Sequence, residues 1–302
     1  MMISTALADA RTAGELIEAV TQVFGSADLH YGHGTDNPLD EAAALVFHVM
    51  GLDHSGAADL YATEPTMPQL QKVEELTALR IDTRKPLPYL LGEAWFAGLP
   101  FTIDERVLVP RSPIAELIAE GFEPWMPPEK LHSILEIGTG SGCIAIACAL
   151  ALPGARVTAT DISPEALAVA AANVARYGLG ERVHLVETDH AAGVIGPFDL
   201  IISNPPYVPA GEIPGLPPEY KREPLLGLVS GGDGLDSARR ILQDAPRLMH
   251  ADSFLVLEVG AQWEALDRAF PGLPFTWLEF EQGGTGVALL RAADLKSVAG
   301  VS

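Results

Sequence analysis

The sequence predicts an α/β protein with a mostly parallel, Rossmann-like sheet of seven strands, an antiparallel edge hairpin and a small helical domain at the N-terminus. In the second part of the chain, strand-like apolar runs alternate with helical segments. This alternation is typical of a parallel sheet with helices on both faces. The tail carries two strand-like runs around a Gly-Gly-Thr-Gly turn, which indicates the hairpin.

The N-terminal region shows only helical patterns. Apolar residues in 16–24 keep helical spacing on one face. Asn37 followed by Pro38 and two acids is a strong helix-start signal, because it supplies a cap, a fixed first φ angle and favourable charges. Apolar residues in 70–79 indicate a third helix. We therefore predict a helical domain over residues 1–85.

Pro86 and Pro88 end this domain, and residues 86–105 are rich in aromatic and β-branched residues around two glycines. This pattern predicts a β-hairpin linker, followed by a second domain over residues 106–302. The strand-like runs of that domain are Ser133–Ile137, Val157–Thr160, Val183–Val186, Leu200–Ser203 and Phe254–Val259. In such folds ligands bind at the carboxyl ends of the strands.

Composition excludes several classes of protein. The chain has 40 acidic against 19 basic residues and a net charge of −21. Duplex-binding proteins neutralise phosphates with Lys and Arg, so direct sequence-specific nucleic-acid binding is not expected, whereas a basic protein would be attracted. No apolar run is long enough to span a bilayer, and the two cysteines form neither a disulfide framework nor a metal pattern. These features predict a cytoplasmic protein without a membrane segment or a metal site.

A glycine-rich loop, Gly138 to Gly142, lies between the first strand of the second domain and a helix. Glycines at this place let backbone amides and a helix N-terminus approach a ligand closely. Asp161 ends the next strand, at the separation expected for an acid that binds a ribose hydroxyl. The loop is therefore expected to hold an adenosine-like group.

Two residues narrow the choice of ligand. The dinucleotide fingerprint requires a last glycine, and Cys143 stands in that place here. Glu136 precedes the loop, where an acid suits a cationic ligand better than a pyrophosphate. S-adenosylmethionine carries a sulfonium, an ammonium and a ribose but no phosphate. The sequence therefore predicts S-adenosylmethionine as cofactor and disfavours a dehydrogenase.

The strand Leu200–Ser203 ends in Asn204-Pro205-Pro206-Tyr207. A residue before proline is extended, and two prolines make a stiff turn that offers carbonyls but no N–H donors. The Asn204 side-chain oxygen and the Pro205 carbonyl can accept the two N–H bonds of a planar NH2 group, while the Tyr207 ring stacks on its conjugated plane. Such a site would promote methyl transfer by orienting the nitrogen.

Together, the Gly138–Gly142 loop, Asp161 and the Asn204–Tyr207 turn resemble the HemK/PrmB family of protein-(glutamine-N5) methyltransferases over nearly the whole chain. The resemblance implies a class I methyltransferase domain behind a helical domain and a hairpin. It also implies that the glutamine amide is held by Asn204, Pro205 and Tyr207. The cofactor-binding residues expected from the loop and the resemblance are Glu136, Gly138, Thr139, Gly140, Gly142, Asp161 for the ribose, Asp189 and His190 by the adenine, and Asn204.

Two branches of this family differ after the hairpin. Enzymes that act on release factors tend to carry Arg-Pro-Glu-Thr-Glu there, whereas this chain has the run from Arg111 to Glu116. That run and Tyr31–Ala43 resemble the branch that methylates large-subunit ribosomal protein three. The resemblance thus implies a basic ribosomal protein as substrate, with residues 1–85 recognising it. Methylation of release factors, adenine-N6 methylation of a nucleic acid and a non-catalytic role in ribosome assembly remain alternatives.

Overall fold

The computed structural model describes residues 7, 9–53 and 58–295, and these divide into two compact units. The first unit comprises residues up to Ala94 together with the distant segment Pro217–Arg222. The second comprises Trp95–Leu216 and the chain from Glu223 onward. No helix in the described part of the chain is long and apolar enough to cross a membrane.

Helices build the first unit around an apolar core to which Leu16, Leu45 and Val73 contribute. Asn37 caps the second helix as predicted, because its side chain accepts the Asp40 N–H at 3.0 Å. Gly51 ends that helix in the left-handed conformation. The helices are α1 (Ala13–Ser26), α2 (Pro38–Met50), α3 (Met67–Thr83) and α4 (Leu87–Leu91), with a 3-10 turn over Ala58–Ala62.

A two-stranded hairpin follows α4, where a hairpin was predicted. It pairs β1 (Glu93–Phe96) with β2 (Leu99–Thr102), and the boundary between the two units falls within β1. Ala97 and Gly98 both have positive φ, as a tight hairpin turn requires. The Asn173 side chain binds both the N–H and the carbonyl of Thr102 at 2.9 Å, which ties β2 to the rest of the second unit, of which it is part.

The second unit contains the predicted seven-stranded sheet. Its order is β5-β4-β3-β6-β7-β9-β8, parallel from β5 to β7 and antiparallel at the β9–β8 edge. Two bounds differ from the sequence pattern: β7 begins earlier, in a polar stretch, and β8 is only two residues long. The strands are β3 (Ser133–Ile137), β4 (Arg156–Asp161), β5 (Val183–Glu187), β6 (Phe198–Ser203), β7 (Met249–Glu258), β8 (Thr276–Trp277) and β9 (Val287–Arg291).

Helices complete the second unit. One core cluster joins the apolar face of the helix at Asp236–Leu248 to the central strands through Ile241, Leu242 and Leu248. The helices are α5 (Ile114–Ala119), α6 (Cys143–Ala151), α7 (Pro164–Arg176), α8 (Leu225–Leu228), α9 (Asp236–Leu248), α10 (Trp263–Ala269) and α11 (Ala292–Leu295).

The order of the strands reverses between β3 and β6. From β3 the chain continues to β4 and β5 on one side, and it then returns to β6 and β7 on the other. Such a reversal opens a crevice at the carboxyl edge of a parallel sheet, which is where ligands bind in open α/β folds. The loops after β3 and β6 flank this crevice.

Candidate active site

The carboxyl ends of the five parallel strands bring the predicted site residues to one edge of the sheet. Asp189 follows β5, Asp161 ends β4 and Gly138 follows β3. Asn204 follows β6, and Glu258 ends β7. Because parallel strands end at the same edge, residues far apart in the sequence share one rim.

Strand register fixes the two sides of the crevice relative to each other. Ile137, the last residue of β3, pairs with Ser203, the last residue of β6. The Ser203 hydroxyl also donates to the Ile137 carbonyl at 2.7 Å, and both residues are buried. The glycine loop and the Asn204 turn therefore start from adjacent, rigidly held positions.

The glycine loop combines unusual backbone angles with open space. Gly138, Gly140 and Gly142 have φ of 77°, 54° and 80°. Residues other than glycine adopt such positive φ angles only at a cost in free energy. A Cβ at Gly138 or Gly140 would meet no described atom within 4 Å, so both face open space. At Gly142 a Cβ would lie 3.2 Å from the Ala170 Cβ, which shows why α6 begins close to α7. The first two glycines thus form a cradle and the third allows helix packing.

A hydrogen bond between Glu136 and Thr139 stabilises this loop. The Thr139 hydroxyl donates to Glu136 Oε2 at 2.6 Å, and both side chains are buried. Burial raises the pKa of Glu136 to about 8, while hydrogen bonds from Thr139 and the Ala145 N–H act in the opposite direction. The carboxyl group therefore connects β3, the loop and the first turn of α6.

Asp161 links the same loop to the end of β4. Its Oδ2 accepts the Gly140 N–H at 2.8 Å, and its Oδ1 accepts the Ser163 N–H at 2.9 Å. An ionised carboxylate has about four acceptor sites, so these two bonds leave capacity for ligand hydroxyls. Asp161 can therefore hold the loop and bind a ribose at the same time.

The pair after β5 lies on the same side of the crevice. His190 has φ of 52°, and its Nδ1 lies 2.6 Å from Oδ1 of Asp189, whose side chain is exposed. The Thr160 hydroxyl donates to the His190 carbonyl at 2.8 Å. Since Thr160 precedes Asp161, this bond places the pair beside the ribose-binding acid expected from the sequence.

On the other side of the crevice, the chain after Asn204-Pro205-Pro206-Tyr207 is held by the segment around α8. The Val208 N–H donates to the Leu228 carbonyl at 2.8 Å, and the Ser230 N–H donates to the Val208 carbonyl at 3.0 Å. Pro205 is buried, whereas Asn204 and Tyr207 are partly exposed. The stiff turn is therefore anchored at both ends and presents polar groups to the rim.

Two glycines that sequence reasoning missed make room for Tyr207. A Cβ at Gly260 would lie 2.7 Å from Cε2 and 2.8 Å from Cζ of the Tyr207 ring. A Cβ at Gly234 would overlap the Tyr207 carbonyl oxygen. These distances are too short for any side chain, so both positions require glycine. The sequence does contain one signal for this site. Gly260 comes just after β7, and the end of β7 lies next to the end of β6.

A buried acid, Glu258, also lies at this rim. The Ser112 hydroxyl lies 2.5 Å from Glu258 Oε2, and both residues are buried. Burial raises the pKa of Glu258 to about 7, opposed by hydrogen bonds from Ser112 and Asn204 and by the charge of Arg111. Arg111 in turn binds both carboxylate oxygens of Glu223 at 2.7 Å.

These features fit an adenosine-containing ligand on one side of the crevice and a planar amide on the other. The cradle at Gly138 and Gly140, with Asp161 beside it, suits the adenosine part of S-adenosylmethionine. The turn beginning at Asn204 supplies acceptors for an NH2 group. Among residues 9–53 and 58–295 there is no cluster of three or more His, Cys, Asp or Glu side chains that could hold a metal ion.

Part of the chain is similar to a known family of methyltransferase domains. Residues 120–213 match the model of the "Methyltransferase small domain" family. The hMettl16 catalytic domain, solved in complex with the MAT2A 3'UTR hairpin 6, has a similar fold, with a TM-score of 0.51 and 20% sequence identity over 74% of this chain and 81% of that chain. At this level of identity the similarity concerns the fold alone.

Closer relatives extend over nearly the whole chain. The ribosomal protein uL3 glutamine methyltransferase of Xanthomonas campestris pv. campestris is 44% identical over 97% of this chain and 96% of its own length. The protein of the same name from Neisseria meningitidis serogroup A is 41% identical over 98% of both chains. The Francisella tularensis protein of that name is 42% identical over 89% of this chain and 86% of its own. The chain is therefore a methyltransferase and belongs to the family of ribosomal protein uL3 glutamine methyltransferases.

Proposed function

We propose that this protein transfers a methyl group from S-adenosylmethionine to the side-chain amide nitrogen, N5, of a glutamine in ribosomal protein uL3. One observation carries the proposal. The Asn204–Tyr207 acceptor turn and the Gly138–Gly142 cradle follow the adjacent strands β6 and β3 at the switch point of the sheet. The relatives named for this reaction support the same assignment.

The donor side would be formed by the loop after β3 and the ends of β4 and β5. When bound, S-adenosylmethionine supplies an electrophilic methyl group on a sulfonium. Gly138, Thr139, Gly140 and Gly142 line its site, with Glu136 holding the loop in place. Asp161 accepts bonds from the ribose hydroxyls, as its unused lone pairs allow. Asp189 and His190 lie by the adenine.

The acceptor side would orient the amide nitrogen. The Asn204 Oδ1 and the Pro205 carbonyl accept its two N–H bonds, and the Tyr207 ring covers the amide plane. An amide nitrogen is not basic, so fixing its direction toward the methyl group is the main contribution of these residues. The proton released after transfer passes to water, and no side-chain base is required.

The substrate is a basic ribosomal protein, which the net charge of −21 would attract. We assign residues 1–85 to recognition of this protein, residues 86–105 to the linker and residues 106–302 to catalysis. No direct sequence-specific binding of nucleic acid is proposed. Because the proposed substrate is a ribosomal protein, we also propose that the enzyme acts in the cytoplasm.

One experiment tests this assignment. The purified protein is incubated with methyl-labelled S-adenosylmethionine and total ribosomal proteins from a strain that lacks its gene, and with the same proteins from the parent strain. We expect label in uL3 from the deletion strain alone, and mass spectrometry should locate it on a glutamine N5. Labelling of a release factor or of adenine in RNA instead would overturn the proposal.

A further inference from the structure

We propose that Glu258 is a positioning residue: it accepts a hydrogen bond from the Asn204 side-chain NH2 and so turns the Asn204 oxygen toward the substrate amide. The inference deepens the proposed function and rests on it. Glu258 itself need not touch the substrate. Its effect is to select one of two orientations of the asparagine amide.

Strand register brings these two residues together. Ser203, the last residue of β6, pairs with Leu257 of β7, so Asn204, which follows β6, comes beside Glu258, the last residue of β7. Glu258 is 4% exposed, so its carboxyl group depends on protein partners rather than on water.

The chemistry of the two side chains determines the direction of their bond. An asparagine amide has an oxygen acceptor at one end and an NH2 donor at the other, whereas an ionised carboxylate only accepts. A Glu258 carboxylate can bond to Asn204 only by accepting from its NH2 group, and such a bond favours the charged form of the acid. Its NH2 end therefore faces Glu258, and its Oδ1 remains for another NH2 group.

Ser112 fixes the other side of the Glu258 carboxyl group. Ser112 Oγ accepts the Ile114 N–H at 3.2 Å, and its own hydroxyl donates to Glu258 Oε2 at 2.5 Å. The charged group facing Glu258 from this segment is Arg111, which favours the carboxylate and is itself held by the buried Glu223. The run from Arg111 that distinguishes the branches thus supports Asn204 indirectly.

Protonation of Glu258 would favour the opposite orientation of the Asn204 amide. A protonated Glu258 can donate to the Asn204 oxygen and so compete with the substrate for it. Burial raises the pKa of Glu258 to about 7, and the bonds from Ser112 and Asn204 and the Arg111 charge limit the rise. The carboxylate, which is the competent form, therefore increases as the pH rises through neutrality.

Kinetics with two variants test the inference. Glu258→Leu keeps the size but removes both acceptors, and we expect kcat to fall about tenfold or more with unchanged affinity for S-adenosylmethionine. Glu258→Gln should restore most of the rate, because its oxygen can face Asn204 while its NH2 faces Ser112 Oγ. Ser253→Ala is a matched control, since it removes a buried hydroxyl that is bonded to the Phe198 carbonyl in the middle of the same strand. It should keep the wild-type kcat.

The pH profile distinguishes positioning from a merely structural role. The ratio of wild-type to Glu258→Gln rates should rise through about pH 7, because groups common to both proteins cancel in the ratio. A constant ratio, a wild-type kcat in Glu258→Leu, or a rate for Glu258→Gln as low as that of Glu258→Leu would overturn the inference.

A second measurement is independent of the substrate. The side-chain NH2 resonances of Asn204, assigned by their loss in Asn204→Ala, should shift with pH near neutrality in the wild type but not in Glu258→Gln. If the wild type labels no uL3, the proposed function fails, while this NMR shift still reports whether Glu258 orients Asn204. If the shift is absent in an active wild type, the inference alone is wrong.

Discussion

Arg80 Nη1 lies 3.2 Å from Glu219 Oε1, although 139 positions separate the two residues in the chain. Both side chains are buried, with 1% and 0% of their surface exposed. Arg80 also binds Glu41 at 2.6 Å, and Arg84 binds Glu219 at 2.7 Å. Glu41 and Glu219 therefore neutralise Arg80 and Arg84 inside the first, helical unit. The segment around Glu219 belongs to that unit.

Replacing Glu219 should destabilise that unit. Glu219→Gln leaves Arg80 and Arg84 without one of their two buried counter-charges, and we expect a loss of about 3–5 kcal/mol in the free energy of unfolding. Urea denaturation, with hydrogen exchange in α2 and α3 to localise the effect, measures it. Glu75→Gln is the control: its pair with Lys72 at 3.0 Å is exposed on the same helix α3, and its loss should cost less than about 0.5 kcal/mol.

The same residue predicts a response to acid. Burial raises the pKa of Glu219, but hydrogen bonds from Arg84, the His30 N–H and Arg80 outweigh it, and the pKa is lowered to about 2. This stabilisation is present above the ordinary value of 4.5 and is lost as the pH falls toward 2. Wild type and Glu219→Gln should therefore converge in stability over that range. If the difference in stability between the two proteins did not change with pH, the lowered pKa of Glu219 would be contradicted.

Patterns within a single segment made much of the fold predictable. The five parallel strands carry apolar runs, and the cap at Asn37 and the loop from Gly138 carry local signals, so each could be identified without its neighbours. The start of β7 was missed because its first residues, Met249–Ser253, are mostly polar and lack a strand pattern.

Contacts between distant segments were not predictable in the same way. Glu219 lies in a stretch rich in proline and acids, and nothing local indicates that it binds Arg80 and Arg84. Ser112 and Glu258 are 146 positions apart, and only the sheet order places them together. Gly260 looked like an ordinary glycine after a strand until the Tyr207 ring was found against it.

Asn204→Ala should separate substrate orientation from donor binding. We expect activity to fall by on the order of a hundredfold or more, because the amide nitrogen loses an orienting acceptor. Affinity for S-adenosylmethionine should be nearly unchanged. Calorimetry and a methylation assay measure the two quantities on the same preparation.

The opposite pattern is expected from Asp161→Ala, which serves as the matched comparison. It removes the acceptor of the Gly140 N–H as well as the acid that we assign to the ribose. Donor binding should weaken by roughly 1–3 kcal/mol. Equal losses of donor affinity in both variants would count against the division of the crevice into a donor and an acceptor side.

Gly260→Ala should impair catalysis through Tyr207. The added Cβ would overlap the Tyr207 ring, and the residue has φ of 48°, where alanine is strained by about 1–2 kcal/mol. We expect a lower kcat with little change in donor affinity, since Gly260 follows β7 on the acceptor side. Gly272→Ala is the control, because its Cβ would meet no described atom within 4 Å and its φ is not positive. An active Gly260→Ala would mean that the ring position is unimportant.

Glu136→Gln should change how stability depends on pH. Burial raises the pKa of Glu136 to about 8, so the folded state keeps a proton that the unfolded chain releases above its ordinary value of 4.5. This contribution is fully present below 4.5 and is lost as the pH rises through 8. Relative to the variant, the wild type should lose about 1.4 kcal/mol per pH unit within that window. Unfolding without ligand measures this, and identical slopes would contradict it.

Salt should reveal the nature of the partner. If the acidic protein attracts a basic ribosomal protein, raising the salt concentration should lower kcat/KM through the association rate, because charges are screened beyond about 10 Å at 0.1 M. The same salt series with donor binding measured by calorimetry controls for effects on S-adenosylmethionine itself. Purified release factor, which is less basic, should be a poor substrate at every concentration. Efficient labelling of release factor, or turnover of uL3 that does not respond to salt while donor affinity is constant, would contradict electrostatic recognition of a basic ribosomal protein.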